Sequence, residues 1–277
     1  MVMDSLEKSI LGSLDAAEPA IYSYLPYILQ DSWEIGISVD EVIALVRTHT
    51  KSDDRLKILD LGCGKGPVSV RLAAEFRCQC LGIDGMSEFI AEAERKAREY
   101  GVEDRCRFRI GDIRYAIREL TGYDVIVLGA IGPVFGDYEA TLSALEPCLA
   151  PDGIILIDDG YYPDDDQSRN PDIPARSTIL SQMEKAGMRL IDEQISDRER
   201  LRQTDHLIFT HLERRCRELM EKYPDRKGIF EAYIQKQIEE NRFLETEIIC
   251  SIMVIGRIKG LQDEEPDQER DRYETLV

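Results

Sequence analysis

The sequence predicts an α/β fold: a seven-stranded, mostly parallel sheet with helices on both faces, an N-terminal helical cap and a helical insertion before the last strand. Three observations carry this. Between residues 56 and 158, short β-rich runs alternate with longer amphipathic stretches. A glycine-rich turn, "GCGKG", follows the first run directly. Acids stand at or just beyond the ends of the first three runs, where a parallel sheet offers its strand ends to a ligand.

Residues 1–55 come first and stand apart from this rhythm. They hold "IYSYLPYILQDSWEIG", aromatic and largely apolar, then a predicted helix, "VDEVIALVRTH". The strand candidates follow: "LKILDL" (56–61), "CQCLGID" (78–84), "CRFRI" (106–110), "YDVIVLG" (123–129), "GIILID" (153–158), "MRLIDEQI" (188–195) and "TEIICSIMVIG" (246–256). Pro67 suits a first helical turn, Ser87 is a predicted cap for "EFIAEAERKAREY", and Gly101 can close that helix in a left-handed conformation. "LAPDG" (149–153) reads as a turn into the fifth strand. Residues 197–243 read as two amphipathic helices separated by Pro224 and Gly228. Leu201, Ile208, Leu212 and Leu219 share one face of the first; Phe230, Tyr233, Ile234 and Ile238 share one face of the second. The expected layout is a cap at 1–55, a core at 56–260 carrying that insertion, and an acidic disordered tail at 261–277.

Composition excludes several classes. The 277 residues are 43% hydrophobic, enough for a full core, and carry a formal net charge of −19, which repels a nucleic-acid backbone. Seven cysteines without C-x-x-C spacing argue for reduced thiols in a cytoplasm rather than disulfides or a zinc site. No secretory leader is expected, and no apolar run approaches the roughly 18 residues of a membrane span.

The glycine turn is the first chemical signal. Glycines at 62, 64 and 66 bring backbone N–H groups close to a ligand, and the helix that follows favours an anionic group at its start. A dinucleotide fingerprint starting at Gly62 would need glycine where Pro67 stands, and Lys65 lacks the Ser or Thr of a phosphate loop. Asp60 disfavours phosphate and favours a nearby cation. Asp84 is placed to accept both hydroxyls of a ribose. Asp112 is placed to accept a hydrogen bond from an exocyclic amine. A ligand with an adenine, a free ribose diol, a cationic centre and an amino-acid end satisfies all three, and S-adenosylmethionine is such a ligand.

Residues 56–158 resemble the class I S-adenosylmethionine-dependent methyltransferases in "ILDLGCGKG", "GID" ending at Asp84, "GD" at 111–112, "YDVIVLG" and "LAPDGIILI". The resemblance implies a Rossmann-like sheet of order 3-2-1-4-5-7-6 with only the seventh strand antiparallel. It implies cofactor contacts at Asp60, Gly62, Cys63, Gly64, Gly66, Asp84, Gly85, Met86, Gly111, Asp112, Ile113 and Gly129. Asp60 would orient the loop or the methionine amino group, and Met86 would pack on the adenine. The product would be S-adenosylhomocysteine.

The acceptor is less legible. "LGAIGPVFG" replaces the N/D-P-P-Y stretch of base-amino methyltransferases, and Pro147-Cys148 precedes the fifth strand rather than following the fourth, so it reads as local packing. A metal-dependent catechol-type site would need a carboxylate between Leu128 and Gly132, and none is there; no metal is expected. Asp158-Asp159-Gly160-Tyr161-Tyr162 leaves the fifth strand where an acceptor should sit; it reads either as substrate-binding surface, through Asp158, Tyr161 and Tyr162, or as a solvated acidic loop. Asp164, Asp165 and Asp166 read as surface. His206 is the preferred base among three histidines because it flanks the apolar stripe of the insertion, with Tyr161 the second catalytic candidate; His49 and His211 read as packing. Tyr22, Tyr24, Tyr27 and Trp33 have the make-up of a lid over the cofactor, with Tyr22, Tyr24 and Trp33 as substrate-binding candidates, or of an amphipathic helix packed on the sheet. Arg198, Arg200 and Arg202 read as surface ion pairs. The expected function is methyl transfer to an enclosed small-molecule acceptor. The alternatives are a protein methyltransferase, or a non-catalytic cofactor-binding scaffold whose helical insertion is a candidate homodimer surface.

Overall fold

A computed structural model describes residues 5–50, 56–164, 170–171 and 173–258. The expected tail at 261–277, together with Asp165 and Asp166, lies outside the described residues. In chain order the elements are α1 (Ser5–Ser13), α2 (Leu25–Ile28), α3 (Val39–His49), β1 (Lys57–Leu61), α4 (Pro67–Phe76), β2 (Gln79–Asp84), α5 (Ser87–Glu99), β3 (Cys106–Ile110) and α6 (Ile113–Ala116). They continue with β4 (Tyr123–Gly129), α7 (Tyr138–Leu145), β5 (Leu149–Tyr161), α8 (Arg176–Lys185), β6 (Met188–Ile195), α9 (Arg198–Lys222), α10 (Lys227–Thr246) and β7 (Ile249–Arg257).

The seven strands form one sheet in the order β3-β2-β1-β4-β5-β7-β6, with β7 antiparallel to both neighbours. The chain order reverses between β1 and β4, so loops after these strands diverge and leave a crevice at their C-terminal ends. The central strands are buried on both faces, as their continuous apolar runs require. One face packs on α3, α4 and α5 through residues such as Val42, Val46, Leu72 and Ala97. The other packs on α6, α7 and α8 through Ile113, Leu142, Ile179 and Met183.

A third core lies outside the sheet. Leu11, Ile21, Leu25 and Ile28 of the N-terminal segment meet Leu212, Cys216 and Leu219 of α9, Phe230 and Tyr233 of α10, and Met86 and Phe89 from the strand-β2 side. The two segments that stand outside the strand rhythm therefore bury one another.

Local expectations fail in five places. "LAPDG" is strand, not turn: Leu149 pairs with Tyr123 ahead of a register shift, and the Arg257 guanidinium donates to the carbonyls of Glu146, Leu149, Ala150 and Pro151. Ser87 does not cap α5; Met86 holds the cap position, its N–H taken by Asp84, while the Ser87 hydroxyl turns to Glu88. The last strand starts at Ile249 because α10 runs on to Thr246. Ile238 is 45% exposed, and Gly228 lies inside α10 rather than between the helices.

Candidate functional site

The glycine loop begins where β1 ends. The N–H groups of Gly62 and Cys63 both donate to Ile83 O, at 2.8 and 3.1 Å, which stitches the loop to β2. Gly62, Gly64 and Gly66 have φ of 72°, 52° and 73°, a left-handed sequence that side chains resist. Their surroundings differ. A Cβ on Gly62 would lie 2.5 Å from Ile131 Cγ2, and one on Gly66 would lie 2.8 Å from Ala93 Cβ and 2.9 Å from the Phe108 ring. A Cβ on Gly64 would meet nothing within 4 Å. Gly64 is thus the open side of the loop.

Asp84 sits beside that opening. Its Oδ2 accepts from Gly64 N–H at 3.0 Å and its Oδ1 from Met86 N–H at 2.8 Å, so each oxygen keeps a lone pair for a further donor. Burial raises its pKa above the ordinary carboxylate value. Asp60, 3% exposed, accepts from Ser69 N–H at 3.2 Å and Ser69 Oγ–H at 2.7 Å. It ties β1 to the first turn of α4, and burial pushes its pKa up to about 6. Asp112 caps α6 through Arg114 N–H and pairs with the Arg114 guanidinium at 2.6 Å, which holds its pKa below the usual range. Gly111 N–H donates to Asp84 O at 2.9 Å, bringing the second and third acids to one edge. Ile113 and Met86 are buried at 7% and 2% exposure.

The N-terminal segment lies over this edge. A Cβ on Gly85 would sit 2.6 Å from Ile10 Cδ1 and 3.1 Å from Leu6 Cδ1, so α1 rests on the backbone beside Asp84. Lys65, 4% exposed, donates its ammonium to the carbonyls of Leu29 and Ser32, and Trp33 Nε1–H donates to Lys65 O at 2.9 Å. Burial lowers the Lys65 pKa to about 8. Lys65→Met leaves two carbonyls without their donor and is expected to cost about 1–3 kcal/mol. Hydrogen exchange should then rise first at residues 29–33; unchanged protection there would refute the clamp.

Tyr24 packs edge-on to Phe230 at 5.0 Å and to Tyr223 at 5.7 Å, its hydroxyl accepting from Arg226. Tyr22 borders the same cluster, and Trp33 stacks obliquely on Tyr100 with Lys96 over its ring. Tyr27 is 40% exposed and donates its hydroxyl to Glu218 at 2.6 Å. These aromatics hold the cap together. His211 Nδ1 lies 3.2 Å from Ser32 Oγ, and His49 pairs with Asp192, both as packing contacts.

The acceptor-side candidates divide. Gly129, at the end of β4, pairs with Asp158. A small cavity of about 30 Å³ there is bounded by Ile131, Gly132, Tyr138, Thr141, Asp158 and Asp159. Tyr138 O–H donates to Asp159 Oδ2 at 3.0 Å, and burial raises the pKa of both. Burial, then Asp159 and Glu41, push Asp158 up to about 7. Tyr161, 1% exposed, donates to Glu193 Oε1 at 2.7 Å, and Arg176 and Ser251 donate to the same carboxylate. Tyr162 is buried against Phe243 at 6.3 Å. Asp164 accepts from Ser177 N–H at 2.9 Å. His206 is exposed and lines a different cavity, about 240 Å³, between α9 and α10 with Phe209, Ile238 and Arg242. Its neighbour Asp205 points inward instead, with Oδ2 buried and unpartnered among the described residues and its pKa pushed up to about 6 by burial and by Glu245.

Sequence reasoning misses Lys65, Tyr138 and Asp205. Asp205 has a readable signal, since positions 201, 205, 208 and 212 share one helical face and place an acid inside an apolar stripe. Lys65 has none, because its partners are carbonyls more than thirty residues away.

A family described as "Methyltransferase domain" matches residues 52–241. Escherichia coli YjhP, an uncharacterized protein, is 34% identical over 107 residues, 38% of this chain and 42% of YjhP. The uncharacterized methyltransferase YcgJ of Bacillus subtilis is 28% identical over 109 residues, 39% of this chain and 42% of YcgJ. The chain thus matches less than half the length of these curated relatives. The crystal structure of YjhP superimposes with a TM-score of 0.70 at 20% identity, covering 84% of this chain and 99% of that one. A SAM-dependent methyltransferase from Geobacter sulfurreducens, solved with S-adenosyl-L-homocysteine, gives 0.68 at 20% identity, covering 83% and 96%. With the domain match spanning most of its length, the chain belongs to the methyltransferase-domain family.

Proposed function

We propose that the protein transfers the methyl group of S-adenosylmethionine to a small-molecule acceptor enclosed between the β4 and β5 strand ends and the helical cap. The carrying observation is the left-handed glycine loop, open only at Gly64, with Asp84 bonded to that residue's N–H. An open backbone edge beside a carboxylate with free lone pairs fits an uncharged ribose diol better than a phosphate. The cofactor supplies an activated methyl sulfonium.

The chain's own residues then have defined tasks. Asp84 holds the diol, and Asp60 fixes the loop to α4, which keeps the N–H groups of residues 62–66 in place. Met86 and Ile113 offer an apolar wall to the adenine, and Asp112, freed from Arg114, accepts its amine. Gly111 leaves room for close backbone approach, whereas Gly85 and Gly129 are covered by Ile10 and Ile37 and Cys63 keeps its side chain buried. The N-terminal cap, clamped through Lys65 and packed on α9 and α10, excludes water and so favours alignment over solvolysis. A cap packed over the strand ends in this way favours a small acceptor over a protein surface. A role in small-molecule metabolism in the cytoplasm, alone or as a homodimer, fits this reading. No helix among the described residues is long and apolar enough to cross a membrane.

Calorimetric titration of S-adenosylmethionine and S-adenosylhomocysteine tests it. Wild type should bind both in the micromolar range, and Asp84→Ala should weaken both by about 1–3 kcal/mol. Folded wild-type protein that binds neither would refute the reading.

A further inference from the structure

We propose that the acceptor is a cationic amine, and that Asp158 is the carboxylate that binds its ammonium and takes its proton before the nitrogen attacks the methyl group. This deepens the methyltransferase reading and rests on it.

Charge at the strand ends comes first. Asp158 borders the small cavity at the β4 and β5 ends, beside the loop that follows β4. Its neighbours offer no compensation: the groups acting on it are the acids Asp159 and Glu41. Among the described residues its side chain forms no hydrogen bond or ion pair, whereas Asp159, one residue on, has Tyr138 O–H and Gly160 N–H. A shielded carboxylate without donor or cation is costly unless something supplies one.

The other packed elements add to the negative field. From β7, Cys250 has its thiol pushed up to about 12 by burial and by Asp158, Asp205 and Asp159, against the opposing charge of Arg198. From α9, Asp205 contributes a buried carboxylate oxygen that has no partner among the described residues. From α7, Tyr138 is held neutral, its pKa raised by burial and by Asp159 and Asp158. From α3, Glu41 has the Arg200 guanidinium at 3.9 Å. Four carboxyls on three elements, Asp158 and Asp159 on β5, Glu41 on α3 and Asp205 on α9, therefore act on this region, with the guanidiniums of Arg200 and Arg198 nearby. Asp159 and Glu41 have partners of their own, so a monocation beside Asp158 supplies the one that carboxylate lacks, and a net charge of −19 draws cations toward the molecule.

The chemistry closes. An ammonium has no lone pair to attack with, so it must first lose a proton. Shielding lowers an ammonium pKa and raises a carboxyl pKa, which brings donor and acceptor together. The N–H proton passes to an Asp158 oxygen, the amine nitrogen forms its new N–C bond as the cofactor's S–C bond breaks, and the products are the N-methylamine and S-adenosylhomocysteine. The proton passes from Asp158 to water once the products have left.

Two cations compete for this role, the acceptor's ammonium and the cofactor's sulfonium, and one experiment separates them. Wild type and Asp158→Asn are titrated with S-adenosylmethionine and S-adenosylhomocysteine. The S-adenosylhomocysteine complexes are then titrated with primary and secondary alkyl and arylalkyl amines and with the isosteric alcohols, each in two buffers of different ionisation enthalpy. The expected result is amine binding with proton release near pH 7, at least tenfold weaker and without proton release in Asp158→Asn, no alcohol preference, and cofactor affinities within twofold of wild type. In turnover the Asn variant should lose at least a hundredfold in kcat with the same amines. Asn weakening S-adenosylmethionine tenfold but not S-adenosylhomocysteine would assign the carboxylate to the sulfonium and overturn the proposal. Cofactor binding without any amine binding, or with methylation of alcohols alone, would overturn it and leave the methyltransferase reading standing; loss of cofactor binding by wild type would remove that reading itself.

Discussion

Gly66→Ala is expected to lower stability by about 2–4 kcal/mol while Gly64→Ala lowers it by only about 1 kcal/mol, although the two glycines stand two residues apart in one loop. Both have left-handed φ, so both carry the steric cost of a Cβ. Only Gly66 adds a collision, with Ala93 of α5 and Phe108 of β3, in a site where helix and sheet close on the loop. Gly64 has free space in that direction, and the space is where a ligand would lie. The effects should therefore cross over in binding: Gly64→Ala should weaken S-adenosylhomocysteine at least tenfold in protein that melts nearly as wild type does. Thermal melts and calorimetry on the two variants decide it. Equal destabilisation, or unaltered affinity in Gly64→Ala, would mean that the loop's open side does not face the cofactor.

The same loop shows how far sequence reading reaches. Pro67 at the head of α4 and Gly101 behind α5 follow from local patterns, because each depends on one or two neighbouring residues, whereas the strand order is what the family resemblance implies. Asp84 is legible for the same reason, standing at a strand end whose position the alternation of elements dictates. What stays hidden depends on contacts across long separations. Lys65 lies in the glycine motif, yet its role depends on carbonyls of the cap. The third core exists only once residues 5–35 and 198–240 are brought together, and neither segment announces the other. His206 is attractive as a base because it flanks an apolar stripe, but flanking positions face outward and the residue within the stripe, Asp205, is the one turned inward. Tyr161 reads as an acceptor contact from its place after β5; strand alternation instead directs it into the core with Glu193.

Stability is expected to rise as the pH falls from 8 to about 5.5, the reverse of simple acid denaturation. Four carboxyls carry the effect: Asp158, pushed up to about 7, and Asp60, Asp205 and Asp15, each pushed up to about 6, with burial the leading cause in every case. In the unfolded chain these groups titrate near 4. The folded state thus binds their protons more tightly, and the stabilisation that follows is complete below about pH 4 and lost as the pH climbs through 6 and 7. Carboxyls of the opposite kind set the lower limit. Asp31 beside Arg215 and Arg214, Asp40 beside Arg71, and Asp112 beside Arg114 are held below the ordinary value, so their contribution is present above about pH 4 and fades beneath it. The optimum should fall near pH 5. Each tenfold difference in proton affinity between the folded and unfolded chain is worth about 1.4 kcal/mol; with solvent relaxation reducing each contribution, the gain from pH 8 to 5.5 should be about 2–4 kcal/mol. Falling net charge acts in the same direction, since the chain starts at −19, and Asp158→Asn separates the two. That variant keeps most of the global charge but removes the carboxyl with the highest value, so it should melt above wild type at pH 8 and converge with it near pH 5.5. Melting temperatures across this range provide the measurement. A wild-type curve that is flat or rises with pH, or an Asn variant parallel to it, would show that Asp158 titrates as an ordinary solvated acid, and the ammonium site proposed around it would lose its basis.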